Sequence, residues 1–114
     1  MSRKKLGILI SGRGSNMEAL LKAAADPAWP CEPVLVLSNK PDAGGLEKAR
    51  SFGVAAKAVD HKLYGKDREA FERAMDAELK AAGIELIALA GFMRVLTPWF
   101  VNEWAGRLIN IHPA

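Results

Sequence analysis

Five short apolar runs, separated by segments of helical spacing, constrain this 114-residue chain more than any other feature. The first, Leu6-Gly7-Ile8-Leu9-Ile10, carries no polar side chain, as a strand covered on both faces requires. It runs directly into Ser11-Gly12-Arg13-Gly14-Ser15-Asn16. Met17, Leu20, Leu21 and Ala24 then recur at helical spacing, and Asp26-Pro27 and Trp29-Pro30 close that helix. Residues 33–37 form a second apolar strand, ended by Ser38-Asn39-Lys40-Pro41, and residues 44–52 a short helix closed by Gly53. A weaker third strand spans 54–59. Residues 66–82 place Phe71, Met75 and Leu79 every four positions, with Glu69–Arg73 and Asp76–Lys80 as i,i+4 ion pairs. The fourth strand covers 85–90. Thr97-Pro98 supplies an N-cap and first-turn proline for a helix carrying Phe100, Val101 and Trp104. Residues 107–111 make the fifth strand, in which Leu108, Ile109 and Ile111 suggest burial.

Strand and helix alternate throughout, which predicts an α/β fold with a doubly wound, mostly parallel sheet of five strands in one domain, residues 1–114. Right-handed crossovers on both faces imply a switch point where the first strand neighbours the fourth. The loops after strands one, four and five then open onto one crevice. Half of the residues are hydrophobic and a quarter charged, which excludes disorder. A net charge of +3 suits an anionic small molecule but is too diffuse to indicate nucleic acid. No apolar run approaches the roughly 20 residues of a membrane span. The basic start followed by Leu6 to Ile10 reads as a strand rather than a signal peptide. With Cys31 as the sole cysteine, in what reads as a Pro-rich loop, no internal disulfide forms and the cytoplasm is the expected compartment.

Two stretches carry candidate chemistry. The turn Gly12 to Asn16 joins a strand to a helix amino terminus, where glycines admit an oxyanion and free N–H groups attract it. Met17 occupies the third glycine position of a dinucleotide fingerprint, and Ser38-Asn39-Lys40 stands where an acidic residue would follow the second strand. No Gly-Lys-Ser/Thr follows either. A single phosphate is the better match, the alternative being a tight turn that needs glycine for geometry alone. Near the other end, Asn110 and His112 lie two apart and so face one side of an extended chain, with Pro113 ending the strand. An amide and an imidazole thus stand together at a strand's carboxyl end, unless His112 is merely a core histidine.

Gly91-Phe92-Met93-Arg94-Val95-Leu96 is mostly apolar where a loop is expected. It could line a pocket for a flat ligand, continue the fourth strand, or cover a hydrophobic contact. Trp99 and Trp104 read as core or interface residues, His61 as a solvated loop histidine, and Arg68 as part of a solvated helix start that could reach a carboxylate.

Taken together, Ile10 to Asn16, Ser38-Asn39-Lys40, Ala90 to Leu96 and Asn110-Ile111-His112-Pro113 resemble the phosphoribosylglycinamide formyltransferase family, with the motifs in order along the whole chain. Asn-x-His-Pro belongs to the wider folate formyltransferase group, and the first loop points to this member. The resemblance implies a Rossmann-like formyltransferase fold and transfer of a formyl group from 10-formyltetrahydrofolate to phosphoribosylglycinamide in purine biosynthesis. It implies that Gly14, Ser15 and Asn16 hold the substrate phosphate. Arg68 and Met93, Arg94, Val95 and Leu96 would hold the formyl folate, the last four largely through backbone, together with Asn110. Asn110 and His112 would be catalytic. No metal, nucleic acid or membrane is implied.

The family continues past His-Pro-Ser into a Leu-Leu-Pro segment and an aspartate that keeps the histidine protonated; here Ala114 stands in the serine's place. The chain is therefore expected to be the family's amino-terminal part. Alone it should bind the ribonucleotide weakly, transfer formyl groups undetectably, and dimerise or aggregate through its fifth strand, left as an uncovered edge with Leu108, Ile109 and Ile111 exposed on at least one side. The competing readings are a formyltetrahydrofolate hydrolase-like enzyme and an inactive phosphate- or folate-binding module.

Overall fold

A computed structural model describes residues 3–111. Strands β1 (Lys4–Ile10), β2 (Cys31–Ser38), β3 (Ala55–Ala58), β4 (Leu86–Leu89) and β5 (Leu108–Asn110) alternate with helices α1 (Ser15–Ala24), α2 (Gly44–Ser51), α3 (Arg68–Ala81) and α4 (Pro98–Glu103). The five strands form one sheet in the order β3-β2-β1-β4-β5, and every pairing is parallel. The predicted architecture and the switch point between β1 and β4 both hold.

Period-two alternation in β1 divides the core into two layers. Leu6, Ile8 and Ile10 pack with Met17 and Leu21 of α1 and Leu46 and Ala49 of α2. Leu9 faces the opposite layer with Phe71, Met75 and Leu79 of α3 and Phe100 and Trp104 at α4. Both faces of β1 are thus covered, which is why its run has no polar gap.

Helix α4 is tied to α3 by buried polar contacts. The Trp104 indole N–H donates to Asp76 at 3.0 Å, and Asp76 also pairs with Lys80 at 3.0 Å. Hydrogen bonds to Glu103 and Asp76 hold the Lys80 ammonium above its ordinary value of 10.5. The predicted Glu69–Arg73 pair is present at the 4.0 Å limit. Thr97 is the N-cap of α4 with Pro98 following, as expected, but its hydroxyl bonds Glu72 of α3 instead of its own helix. Trp99 lies under the Arg73 guanidinium, 4.3 Å from the ring centre.

Two expectations need correction. Cys31 is the first residue of β2, paired opposite Lys4, and not part of a loop. His61 is not a solvated loop residue: it opens a 3-10 turn (His61–Tyr64) and is half-buried edge-on against Phe71. Strand β5 is the expected uncovered sheet edge, with Ile109 44% exposed.

The Asp76–Trp104 bond yields a stability prediction. Asp76→Ala leaves the buried indole N–H without an acceptor, which costs about 1–3 kcal/mol. Urea unfolding should show a lower midpoint with an unchanged slope; an unchanged midpoint would show that the bond contributes nothing net.

Candidate active site

Parallel strands send their following loops to one end of the sheet, and at a switch point the loops diverge to opposite faces. Here the loop after β1 turns into α1 and the loop after β4 runs toward α4. The space between them is a cleft of 340 Å³ lined by Ser11 to Asn16, Lys40, Ala90, Gly91 and Met93. The lining includes two cations, Arg13 and Lys40, and no carboxylate. A larger neighbouring cavity of 380 Å³ is lined by Lys40, Lys62, Asp42 and Asp60 with Pro41 and His61, so its charges cancel.

The first loop is built to present backbone. Gly14 is the N-cap of α1 with φ +76°, a left-handed conformation that side chains other than glycine's resist. The first α-type bond runs from the Glu18 amide to the Gly14 carbonyl at 2.7 Å. The N–H groups of Ser15, Asn16 and Met17 precede it and have no partner within the helix. They stand at the positive end of the α1 dipole, and Ser15 and Asn16 line the cleft. All three predicted phosphate residues, Gly14, Ser15 and Asn16, therefore line one concave surface.

Behind this loop stands a residue that sequence reasoning missed. Gly45, in the first turn of α2, donates its amide to the Gly12 carbonyl at 3.0 Å. A Cβ at Gly45 would come within 2.5 Å of Ile10 Cδ1, 3.1 Å of the Gly12 carbonyl oxygen and 3.2 Å of Gly14 Cα. Helix α2 thus backs the loop by direct backbone contact. Lys40 was missed as well, having been noticed only as the place where an acidic residue is lacking.

The loop 91–96 is not a continuation of β4, which ends at Leu89. Its apolar side chains divide. Phe92 and Leu96 pack on the α3–α4 layer, whereas Met93 and Val95 are 77% and 74% exposed. The Met93 amide donates to the Ser11 hydroxyl at 2.8 Å, joining this loop to the end of β1. Met93 lines the cleft; Arg94, Val95 and Leu96 are not among its lining residues.

Asn110 ends β5 in register with Leu89, and Ile111 donates its amide to the Leu89 carbonyl at 2.9 Å. Asn110 is exposed and lies one strand beyond the cleft lining, beside the strand whose next residues, Ala90 and Gly91, do line it. Arg68 is exposed at the start of α3 and is not among the lining residues. His112 lies outside the described residues. Among the described residues no cluster of His, Cys, Asp and Glu could hold a metal ion, and no helix is long and apolar enough to cross a membrane.

Comparison with known proteins agrees with this geometry. The formyl transferase family model matches residues 4–114. The chain is 47% identical over 114 residues to the trifunctional purine biosynthetic protein adenosine-3 of Drosophila melanogaster, covering 98% of this chain and 8% of that protein. It is 42% identical over 107 residues to the phosphoribosylglycinamide formyltransferase of Escherichia coli K12, covering 94% of this chain and 50% of the relative. The crystal structure of phosphoribosylglycinamide formyltransferase from Brucella melitensis superposes with a TM-score of 0.92 at 45% identity, over 98% of this chain and 58% of that one. The chain thus spans about half the length of these single-function relatives and far less of the trifunctional one. The family match over residues 4–114 and the superposition of the whole sheet on a solved relative place the chain in the formyl transferase family.

Proposed function

We propose that this chain carries the substrate-binding strand ends of an enzyme that transfers a formyl group from 10-formyltetrahydrofolate to the amine of 5'-phosphoribosylglycinamide, a step of purine biosynthesis. The observation that supports this best is the cleft itself. A helix start with free amides and two cations faces an apolar loop across 340 Å³, with no carboxylate in the lining. A phosphate monoester suits the first wall and a flat, largely apolar ring the second. Relatives named phosphoribosylglycinamide formyltransferase support a substrate that carries a phosphate and a formyl group that is transferred.

In this reading Gly14, Ser15 and Asn16 hold the substrate phosphate, and Arg13 and Lys40 add to the attraction. Backbone groups of Met93, Arg94, Val95 and Leu96 hold the folate ring system, and Arg68 reaches a carboxylate of the folate. The folate supplies an activated formyl carbon; no metal is needed. As the substrate amine adds to that carbon, negative charge develops on the formyl oxygen. Asn110 donates a hydrogen bond to it, and protonated His112 stabilises it and gives a proton to the departing folate nitrogen. A reducing cytoplasm is the compartment that suits a chain with one cysteine.

Formyl transfer is assayed with this chain alone and with the chain mixed with the carboxyl-terminal half of the Escherichia coli relative. Transfer to phosphoribosylglycinamide is expected in the mixture, and His112→Ala should lower its turnover by roughly 100- to 10,000-fold, the usual scale of proton-transfer catalysis. Michaelis constants should change little. Formate release that ignores the ribonucleotide would replace this reading with a hydrolase.

The phosphate wall has its own test in α2. Gly45→Ala forces the helix away from the loop and should weaken inorganic phosphate binding by roughly tenfold, the scale of an overpacked contact. Gly44→Ala meets nothing within 4 Å and should leave it unchanged. Equal effects of the two in calorimetric titration would remove the loop from phosphate binding.

A further inference from the structure

An irregular loop presents backbone groups in a fixed direction only if something anchors them, because an unanchored N–H turns to water. Loop 91–96 is anchored at both ends by groups that do not belong to it. At the far end, buried Glu72 of α3 accepts the Thr97 amide at 2.7 Å and the Thr97 hydroxyl. At the cleft end, the Ser11 hydroxyl accepts the Met93 amide proton at 2.8 Å.

Ser11 can accept there because of what lies behind it. Its hydroxyl has one proton, and that proton is donated to Oδ1 of Asn39. Ser11 and Asn39 are 3% and 1% exposed, and Asn39 stands just past β2, behind the cleft wall and not in its lining. The Asn39 amide nitrogen lies 3.2 Å from His61 Nδ1, and that ring nitrogen lies 2.9 Å from the Asn39 carbonyl oxygen. The His61 backbone amide also donates to this carbonyl, at 3.3 Å. Asn39 is therefore held from the 3-10 turn on one side while it holds Ser11 on the other. A buried polar pair costs desolvation unless every group is satisfied, and here satisfaction fixes direction.

We infer that Asn39 is a positioning residue: by taking the Ser11 proton it leaves the hydroxyl able only to accept, and so fixes the Met93 backbone across the cleft. The inference rests on the reading that this loop receives the formyl folate. It assigns Asn39 no contact with either substrate.

Asn39→Leu keeps similar volume and removes the acceptor, whereas Asn39→Asp keeps an acceptor for Ser11. Amide hydrogen exchange is measured by NMR on the ligand-free chain, and 10-formyltetrahydrofolate and inorganic phosphate are titrated separately. In Asn39→Leu, Met93 exchange should accelerate and folate affinity fall, each by roughly tenfold, the scale of one hydrogen bond. Phosphate affinity should stay within about twofold, since neither the Ser11–Asn39 bond nor the Met93–Ser11 bond involves Gly14, Ser15 or Asn16. Asn39→Asp should restore slow Met93 exchange and folate affinity even if both variants melt earlier. Unchanged Met93 exchange in Asn39→Leu, equal losses for folate and phosphate, or failure of Asn39→Asp to restore either property would overturn the inference. If Asn39→Leu fails to fold, the wild type decides: Met93 exchanging as fast as Gly91 and Val95 overturns it. Wild-type protein that binds no formyl folate would overturn the functional reading, and the exchange contrast would still decide the role of Asn39.

Discussion

Leu6 to Ile10 pair with β2 along one edge and Leu6 to Leu9 with β4 along the other, and the side chains of this run enter both core layers. That double constraint fixes where β1 ends. Because the chain must leave β1 toward α1 on one face and β4 toward α4 on the other, a gap opens between the two exits. The cleft is this gap. Its walls are a helix start and an irregular loop, the two kinds of backbone that leave N–H groups unpaired.

Charge and packing then decide what the gap can hold. Arg13 and Lys40 enter its lining without an opposing carboxylate, while the larger cavity beside it balances two lysines with two aspartates. The close approach of α2 through Gly45 backs the first loop, and the buried Ser11–Asn39 pair backs the facing loop through the Met93 amide. Both supports lie outside the cleft.

Strand and helix order, sheet parallelism and the β1–β4 switch were legible because period and chirality fix them locally. Gly12 to Asn16 was legible for the same reason: a glycine turn between an apolar strand and a helix has few uses. The supports were not legible. Gly45 reads as one of two glycines at a helix start, and its contact with Gly12 and Gly14 bridges more than thirty positions. Asn39 and His61 meet across 22 positions, and the 3-10 turn that brings His61 in is too short to show a period. Strand β5 is apolar at Leu108, Ile109 and Ile111, and its place at the sheet edge leaves Ile109 exposed, as expected for a strand with nothing beyond it. Apolar composition reports what a strand can bury, not what lies beside it. Asn110 is where the pattern put it, at the carboxyl end of β5, while its role with His112 rests on the family resemblance and on chemistry.

The central claim is that one cleft binds two chemically different partners on two walls. Backbone amide shifts followed by NMR during separate titrations with phosphoribosylglycinamide and 10-formyltetrahydrofolate test it most directly. The ribonucleotide should move the amides of Gly14, Ser15, Asn16 and Met17, and the folate those of Met93 to Leu96. Ribonucleotide shifts centred on Asp42, Asp60 and Lys62 in the neighbouring cavity, with residues 14–17 unmoved, would contradict the account.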